Sequence, residues 1–291
     1  MAKVRNAANT IRQGRIGENT WYVREGVQVV RQRLQNSNYG EGARRSSAQQ
    51  ERRARWGNLV NFYKNIKSWQ PKAYEGLRAG QTDYNAFMSL NANSSPAYLT
   101  RQLVEAGGSV VGAYAVSKGT LPQLNYQLMS QSTAWELAVS GSTTLISNVT
   151  IADVSTLLIA SNYAIEEGDN VAFVFFKCVV DNGGVPRSSF VYKEFTIDTD
   201  DTTEVSTLGL SLGRPTTSTG LLINLDSSSA TLTDGFAMIH TRKTSGSLLV
   251  SSQSILNKPN AIVNNYTTDD AKAAAIASYG VDGDVPLAPG E

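Results

Sequence analysis

The chain has few of the residues that catalysis most often uses. Its 291 residues include a single cysteine, Cys178, and a single histidine, His240. One cysteine excludes an internal disulfide, and a lone histidine far from it in sequence leaves no Cys/His or Ser/His/Asp grouping to activate a nucleophile. No glycine-rich segment ends in Lys-Ser or Lys-Thr, the pattern of a phosphate-binding loop. We therefore expect a protein that is not an enzyme and uses no cofactor.

Long apolar runs are also missing. No run approaches the ~18 apolar residues that a transmembrane helix needs. The N-terminal residues MAKVRNAANTIRQGR contain no apolar core of a secretory signal. We expect no contact with a membrane. The hydrophobic content of 41% is ordinary for a globular protein, and the length is compatible with one to three domains that have a real core.

Charge is unevenly distributed along the chain, although the net charge is only +1. Residues 1–118 contain 18 Lys and Arg against 7 Asp and Glu, a balance of +11. Residues 119–291 contain 8 against 18, a balance of −10. Such asymmetry indicates either two surfaces with different partners or two regions that neutralise each other within one chain. We favour the first interpretation.

The most distinctive segment is EGARRSSAQQERRARWGNLVNFYKNIKSW at residues 41–69. Ser46 and Ser47 are candidate N-caps, each with a glutamine three residues later. Pro71 follows as a stop signal. The segment predicts a helix of about 20 residues that packs through apolar residues at the spacing of one helical face. These residues are Trp56, Leu59, Val60, Tyr63 and Ile66.

Short elements flank this helix. The runs Thr20–Arg24 and Val27–Arg31 are rich in β-forming residues, and Glu25-Gly26 between them predicts a hairpin with a tight turn. A hairpin of this size is marginal alone, so it must pack on a helix or on another subunit. Thr82 is a candidate cap for a second helix. Ser95-Pro96 predicts the start of a third helix, which stops at two glycines.

From residue 109 onward Ser, Thr and Gly become frequent and short alternating runs appear. The strongest pattern is a buried strand at 171–180, followed by a turn cluster at 181–184 and a hairpin partner at 190–197. Residues 149–165 are ambiguous and could contain a helix. Six to nine short strands joined by turns are typical of a β-sandwich. Further candidate strands lie at 110–116, 124–128, 135–139, 208–212, 221–225, 236–241 and 247–251.

These elements predict an α+β fold, in which an N-terminal β-hairpin plus helices precede a mainly antiparallel β-sandwich domain. We predict a basic hairpin-and-helix docking domain at 1–108 and an acidic, Ser/Thr-rich β-sandwich domain at 109–256. The remaining residues, 257–291, form a C-terminal tail. An Ala-rich segment at 269–278 predicts a helix in this tail, whose last residues are typical of poor order.

Three groups of residues have a chemical interpretation, and for each we prefer a structural one. His240 lies on a predicted strand without an acidic neighbour in sequence, so we expect a surface or hydrogen-bonded structural residue. Cys178 lies in an apolar strand, whereas reactive cysteines need an electropositive and partly exposed setting. The acidic run Asp198–Glu204 could offer oxygen ligands to Ca²⁺, but it lacks the glycine and the ligand order of an EF-hand. We expect a solvated acidic loop and no metal site.

Five arginines that lie within 12 residues form a basic cluster, namely Arg44, Arg45, Arg52, Arg53 and Arg55. At ~100° per residue, the three that fall within the helix spread around its circumference and do not form one stripe. The cluster could be a solvated helix end, or it could contact DNA phosphates or an acidic protein surface. We predict docking on an acidic protein partner and do not favour DNA, because no sequence-reading motif accompanies the arginines.

Several short motifs follow one another in residues 1–95. In these motifs the chain resembles an uncharacterised domain family of Bacteroidota genomes and their phages. The resemblance covers residues 1–95 well and the rest of the chain loosely, with Ser251–Ser254 as a weaker C-terminal counterpart. The matching residues are Met1-Ala2-Lys3, Gly14, Gly17, Trp21, Val29-Val30-Arg31, Ala48-Gln49-Gln50-Glu51-Arg52-Arg53 and Asp83-Tyr84-Asn85-Ala86-Phe87.

The resemblance implies a virion protein of a crAss-like phage, located in the head-to-tail connector or tail and assembled in the cytoplasm of the bacterial host. We expect a homo-oligomeric ring, twelve-fold if it follows a portal, that contacts neighbouring virion proteins such as portal or tail components. The resemblance carries over no catalytic residue. Two alternatives stay open. One is a nucleic-acid-binding or packaged protein. The other is a carbohydrate-binding tail module, which the strand pattern of a β-sandwich together with Trp135 and Tyr163 suggests.

Overall fold

The computed structural model describes residues 3–5, 11–16, 19–24, 27–32, 47–69, 73–93, 97–129, 134–226, 234–258 and 261–280. Within these ranges the chain has the predicted α+β fold. An N-terminal antiparallel sheet comes first, helices follow, and a larger region of antiparallel sheet comes next. The poor order predicted for the last residues concerns 281–291, which lie outside the described ranges.

The N-terminal sheet is a meander in which each strand pairs antiparallel with the next. The third and fourth strands are the predicted hairpin, and Arg24 pairs with Val27 so that two residues connect them. Two-residue connections are the commonest hairpin loops. The hairpin is therefore confirmed, and two strands that the sequence did not predict precede it. The strands are β1 (Lys3–Arg5), β2 (Ile11–Ile16), β3 (Asn19–Arg24) and β4 (Val27–Gln32).

Helix α1 (Ser47–Ile66) is the predicted long helix, and the candidate cap Ser46 lies outside the described residues. Leu59, Phe62 and Ile66 are its large fully buried apolar residues, and Ala54 is also fully buried. Trp56 is 39% exposed, so the expectation that it packs in the core is wrong. At ~100° per residue Trp56 lies about 120° around the helix from Phe62, and Phe62 was absent from the predicted apolar face.

Two shorter helices follow. Helix α2 (Asp83–Asn91) begins after Thr82, whose side chain accepts a hydrogen bond from a backbone N–H of the first turn, so the predicted cap is confirmed. Helix α3 (Arg101–Glu105) is capped in the same way by Thr100. This third helix begins later than predicted, because residues 97–100 are irregular. The two predicted start residues before them lie outside the described ranges.

The segment 110–116 is not the strand that its alternating residues predict. Side-chain amides of two helices bind its backbone instead. Asn58 of α1 accepts a hydrogen bond from the N–H of Val110 at 2.8 Å, and Asn91 of α2 accepts one from the N–H of Ala115 at 2.8 Å. Each amide also donates to the carbonyl of the same residue, at 3.2 and 2.9 Å. The helices thus satisfy backbone groups that a neighbouring strand would otherwise bind.

A four-stranded antiparallel sheet has the strand order β5-β6-β10-β9. Between its second and third strands along the chain lies helix α4 (Ile151–Ile159). Thr150 and Asp153 form a capping box, in which each side chain accepts a hydrogen bond from the backbone N–H of the other. The ambiguous segment 149–165 therefore contains a helix. The strands are β5 (Tyr126–Leu128), β6 (Trp135–Ala138), β9 (Leu210–Gly213) and β10 (Gly220–Leu225).

A five-stranded antiparallel sheet has the order β12-β11-β7-β8, and its fifth strand, β13, pairs with β11. Its long hairpin confirms the strand, turn and partner strand that were predicted from 171 to 197. The partner strand begins earlier than predicted. The strands are β7 (Asn170–Val180), β8 (Pro186–Thr196), β11 (Gly235–Lys243), β12 (Leu248–Val250) and β13 (Leu256–Asn257).

The five-stranded sheet is the middle of three layers. One face packs against α1 and α2, and the opposite face packs against the four-stranded sheet and α4. The two sheets give the β-sandwich-like architecture that the sequence predicted. The first core includes Leu59, Phe62, Phe87, Ala172, Val174, Phe176, Ala237 and Ile239. The second includes Trp135, Leu137, Val171, Phe173, Phe175, Ile223, Phe236 and Met238.

The first core crosses the boundary predicted at residue 108. The ring of Phe62 in α1 lies 5.7 Å from the ring of Phe176 in β7, measured between centroids. A domain is defined by its own core, so residues 47–105 and the sandwich form one structural unit. Two further helices, α5 (Ala261–Asn265) and α6 (Asp269–Gly280), lie in the predicted tail. The second of them contacts α1 through a buried cluster that contains Ala275.

Candidate functional site

The predicted arginine cluster is divided by the structure. Arg44 and Arg45 lie outside the described residues, and Arg52 is exposed on α1. Arg55 bonds within the chain. Its guanidinium donates to Glu51 at 2.7 Å and to the hydroxyl of Tyr98 at 3.1 Å, and it also lies 5.6 Å from the centre of the Tyr98 ring. Arg55 therefore contributes to the packing of α1, whereas the docking role of the cluster stays a prediction.

The N-terminal sheet places most of the arginine positions of residues 14–32 on one face. Directly paired residues share a face and neighbours along a strand alternate. In the register of residues 14–32, Arg15 pairs with Thr20, Thr20 also pairs with Arg31, and Arg24 pairs with Val27. We name the resulting arginine face by its positions, which are Arg15, Thr20, Tyr22, Arg24, Val27, Val29 and Arg31. The opposite tryptophan face comprises Arg12, Gly14, Ile16, Asn19, Trp21, Val23, Gln28, Val30 and Gln32.

The N-terminal sheet is not part of either core in the residues whose exposure is described. Among the strand residues whose exposure the structure describes, none is buried. Tyr22 on the arginine face is 40% exposed, and Val30 on the tryptophan face is 47% exposed. Sheets are stable when at least one face packs on another layer. The N-terminal sheet has one face with the Arg15, Arg24 and Arg31 positions and an opposite face that carries Arg12.

His240 is fully buried on β11 and is hydrogen-bonded, as the structural interpretation expected. Its Nε2 lies 2.7 Å from Oδ2 of Asp169, a buried residue that directly precedes β7. Arg242 binds the same carboxylate through two hydrogen bonds of 2.8 Å, from Nε to Oδ1 and from Nη2 to Oδ2. One buried carboxylate thus joins the histidine and the arginine, and we refer to these residues and Glu166 as the Asp169 network.

The Asp169 network fastens the segment 161–169 to the end of β11. Arg242 donates from Nη1 to Glu166 at 2.7 Å and from Nη2 to the carbonyl of Ala164 at 2.7 Å. The backbone N–H of Glu166 donates to Asp169 at 2.8 Å. Ala164 has a φ of +52°, in the left-handed region that residues with a Cβ seldom adopt. The hydrogen bond to its carbonyl helps to hold this conformation.

Burial and hydrogen bonding set the charges of this network. Burial opposes ionisation of Asp169, but hydrogen bonds from Arg242, from the N–H of Glu166 and from His240 outweigh it, so the pKa of Asp169 lies below its ordinary value. Burial lowers the pKa of His240 and outweighs the opposing effect of Asp169, so the ring is neutral at pH 7. Because the His240 side chain has no solvent contact, a substrate cannot reach it. The network is structural.

Sequence reasoning missed the partners of His240 because 71 residues separate it from Asp169. One usable indication exists. Arg242 directly follows the predicted strand 236–241, and if the strand continues through it, His240 and Arg242 share a face. The partner, however, depends on the register between β11 and β7, in which Thr241 pairs with Asn170. That register is not readable from the residues alone.

Three segments bring acidic residues together at one end of the sandwich, beside the start of β7 and the end of β8. Backbone hydrogen bonds and two hydrogen bonds to side chains join the segments 148–155, 161–169 and 197–206. None of these segments contains Lys or Arg. We name this surface the acidic end, and its residues are Asp153, Glu166, Glu167, Asp198, Asp200, Asp201 and Glu204.

The acidic run that could have bound Ca²⁺ forms part of the acidic end. Its carboxylates bind nearby backbone groups. Asp198 accepts a hydrogen bond from the N–H of Asp200 at 2.8 Å, and Asp201 accepts one from the N–H of Thr203 at 2.9 Å. In the described part of the chain, no group of three or more His, Cys, Asp or Glu side chains is arranged to hold a metal ion.

The other residues that the sequence singled out lie in the cores. Cys178 is buried, and burial raises the pKa of its thiol to about 11, so it is a small core residue with little thiolate character. Trp135 is fully buried and stacks on Phe236 with 5.5 Å between ring centroids. Tyr163 is only 6% exposed. A carbohydrate platform needs exposed aromatic faces, so Trp135 and Tyr163 do not provide one.

A narrow cleft lies between Trp69 and Tyr192, whose rings stack at 6.0 Å between centroids. Asn170, Ala172 and Thr241 are among its other lining residues. The space amounts to about 10 Å³, which is room for one water molecule. A site for a small organic molecule needs a cavity of hundreds of cubic ångströms, so this cleft does not supply one.

Charge and exposure distinguish two surfaces of the molecule, the N-terminal sheet and the acidic end. No helix in the described ranges is both long and apolar enough to cross a membrane. Comparison of the chain with protein-family models, with curated proteins and with solved structures identified no similar protein.

Proposed function

We propose that the chain is a structural subunit of a bacteriophage virion, which builds an oligomeric ring in the head-to-tail connector or tail of a crAss-like phage. It acts through protein–protein contacts without catalysis and without a cofactor. The observation that carries this proposal is the N-terminal sheet, in which no strand residue of described exposure is buried. A neighbouring subunit or virion protein supplies the missing layer. The virion context comes from the resemblance in residues 1–95.

The charge distribution supports assembly from identical copies. The basic arginine face and the acidic end belong to one chain, so one copy can offer each surface to a different neighbour. Head-to-tail contacts of this kind close into a ring when the rotation between copies permits. The ring has twelve subunits if it follows a portal.

We propose that the chain catalyses no reaction because the side chains best suited to catalysis are inaccessible to solvent. His240 is sealed from solvent, and the thiol of Cys178 is buried with a raised pKa. These are the two side chains that a nucleophilic or acid–base mechanism would use first. Their replacement should impair folding at most, and not a reaction.

Nucleic-acid binding is the second candidate, and one observation favours it. The arginine face bears Tyr22 among three arginine positions, and Arg52 is exposed next to Trp56 on α1. Arginines with interleaved aromatics can bind phosphates and stack on bases. Such binding would weaken steeply as the salt concentration rises.

The decisive experiment is reconstruction of the phage particle together with sedimentation of the purified chain. We expect density for the chain in the connector or tail, with rotational symmetry, and a discrete oligomer in solution at low salt. A chain that is monomeric at every concentration and absent from purified particles would contradict the proposal. A chain that binds duplex or single-stranded DNA without self-association would favour the second candidate.

A further inference from the structure

We propose that the arginine face of one copy docks on the acidic end of the next copy. The inference rests on the proposed self-assembly and identifies the two surfaces that make the contact. No residue of described exposure on the arginine face is buried, the carboxylates of the acidic end are mostly exposed, and the two surfaces have opposite charge.

The arginine face is suited to a protein partner that carries carboxylates. Its three arginine positions, Arg15, Arg24 and Arg31, lie on three neighbouring strands. No acidic residue shares this face in the register of residues 14–32. Arginine can pair with carboxylates through two hydrogen bonds at once, and Tyr22 and Val29 supply apolar area between the charges. The exposed side chains of Tyr22 and Arg31 are free of covering layers.

The acidic end supplies the complementary charge. Asp153, Glu166, Glu167, Asp198, Asp200 and Glu204 are all exposed. Arg242 reaches this end through Glu166, but two of its four hydrogen bonds go to the buried Asp169. A surface with this excess of carboxylates has a local potential that attracts cations.

The charge balance favours a second copy over a nucleic acid as the partner. Residues 1–118 carry +11 and residues 119–291 carry −10, so copies that join basic to acidic surfaces remain close to neutral overall. A nucleic acid on the arginine face would instead lie on a chain whose larger region repels phosphates. Charge complementarity between copies also selects one orientation, because like-charged surfaces repel.

Charge reversal in the full-length chain tests this contact. The first variant combines Arg15→Glu, Arg24→Glu and Arg31→Glu, and the second combines Glu167→Lys, Asp200→Lys and Glu204→Lys. The third carries all six changes. A matched control combines Lys64→Glu, Arg78→Glu and Lys118→Glu, which reverse three exposed cations elsewhere. Sedimentation velocity at low salt measures association, and thermal unfolding checks that each variant is folded.

Each three-residue reversal should weaken association by roughly tenfold or more, the sixfold variant should recover it, and the control should associate like the wild-type chain. If Lys at the acidic end impairs folding, Glu167→Gln, Asp200→Asn and Glu204→Gln together should still weaken association. Oligomers that tolerate both reversals would overturn this docking and leave self-assembly standing. A monomeric wild-type chain would overturn both. Loss of DNA binding, and not of self-association, in the arginine variant would identify the partner as nucleic acid.

Discussion

The N-terminal sheet and the five-stranded sheet share antiparallel pairing but differ in what covers them. In β7 of the five-stranded sheet, residues 171–176 are all buried, because helices lie on one face and the four-stranded sheet lies on the other. In the N-terminal sheet, no residue of described exposure is buried. Hydrogen bonding between strands is therefore not what distinguishes the core of this protein from its periphery.

The difference follows from the side chains on the strands. The run VAFVFF at 171–176 is apolar on both faces, so it needs two covering layers. Strands β3 and β4 instead each carry one arginine, Arg24 and Arg31, on the same face, and burial of that face without a partner would leave charges unpaired. A strand with charge on one face is suited to a polar interface, which agrees with a docking role for the N-terminal sheet.

The largest expected loss of stability comes from a substitution in the five-stranded sheet, which has a packed layer on both faces. Phe173 in β7 is fully buried and stacks on Phe195 at 5.7 Å between ring centroids. Phe173→Ala should lower the free energy of unfolding by about 3–5 kcal/mol, because it leaves a cavity between two layers. Urea denaturation followed by circular dichroism measures this change. As a control, Val191→Ala on the exposed edge strand should cost less than about 1 kcal/mol. Equal effects at the two sites would contradict the layered core.

The buried Asp169 network should give the next largest effect. Asp169→Asn leaves Arg242 without the carboxylate that accepts two of its hydrogen bonds, and it should cost about 3 kcal/mol. Glu166→Gln is the matched control, since this carboxylate is largely exposed and its pair with Arg242 should contribute less than about 1 kcal/mol. Denaturation at neutral pH measures both variants. A smaller loss for Asp169→Asn than for Glu166→Gln would show that the network does not stabilise the fold.

Acidification should weaken the same network in two steps. The pKa of His240 is lower in the folded chain than its ordinary value of about 6.5, so below about pH 6.5 the unfolded chain binds a proton that the folded chain does not, and stability falls. The pKa of Asp169 is also lowered, so its contribution is present above about pH 4 and is lost below it.

Denaturation midpoints measured from pH 8 to pH 5 test the first step. The chain has one histidine, so His240→Gln should be less stable at pH 8 and should lack the decline between about pH 6.5 and pH 5. A decline of equal size in this variant would assign the titration to another group.

The smallest effects should come from exposed tryptophans. Trp21 lies on the tryptophan face of the N-terminal sheet and is not buried, and Trp56 is exposed on α1. Trp21→Ala and Trp56→Ala should each change the free energy of unfolding of the monomer by less than about 1 kcal/mol. Chemical denaturation at low protein concentration measures this. A loss of several kcal/mol at Trp21 would show that the N-terminal sheet packs within its own chain.

Local patterns predicted much of the fold. The hairpin β3–β4, helix α1, the cap Thr82 and the long strand β7 all follow from spacing and composition over a few residues. Prediction was wrong where distant groups decide the outcome. Residues 110–116 alternate like a strand, yet Asn58 and Asn91 from two helices bind their backbone. Such long-range side-chain contacts have no local pattern.

The candidate surfaces were predicted in part. The charge imbalance between residues 1–118 and 119–291 is a property of the sequence, but its placement is not. The arginine cluster at residues 44–55 was predicted to be the docking surface, yet Arg55 bonds to Glu51 and Tyr98 within the chain. The arginine face depends on the register of three strands, and the acidic end depends on three segments that are distant in sequence.

By itself, the sequence determined the α+β character, the surplus of basic residues before 119 and of acidic residues after it, and the scarcity of catalytic side chains, because these depend on composition and on periodicity within single elements. Tertiary structure decided that one core crosses residue 108, that Phe62 and not Trp56 is buried, and that His240 meets Asp169. These outcomes depend on register and layer packing between residues far apart in the chain. Interactions over such separations become defined only when the elements pack together.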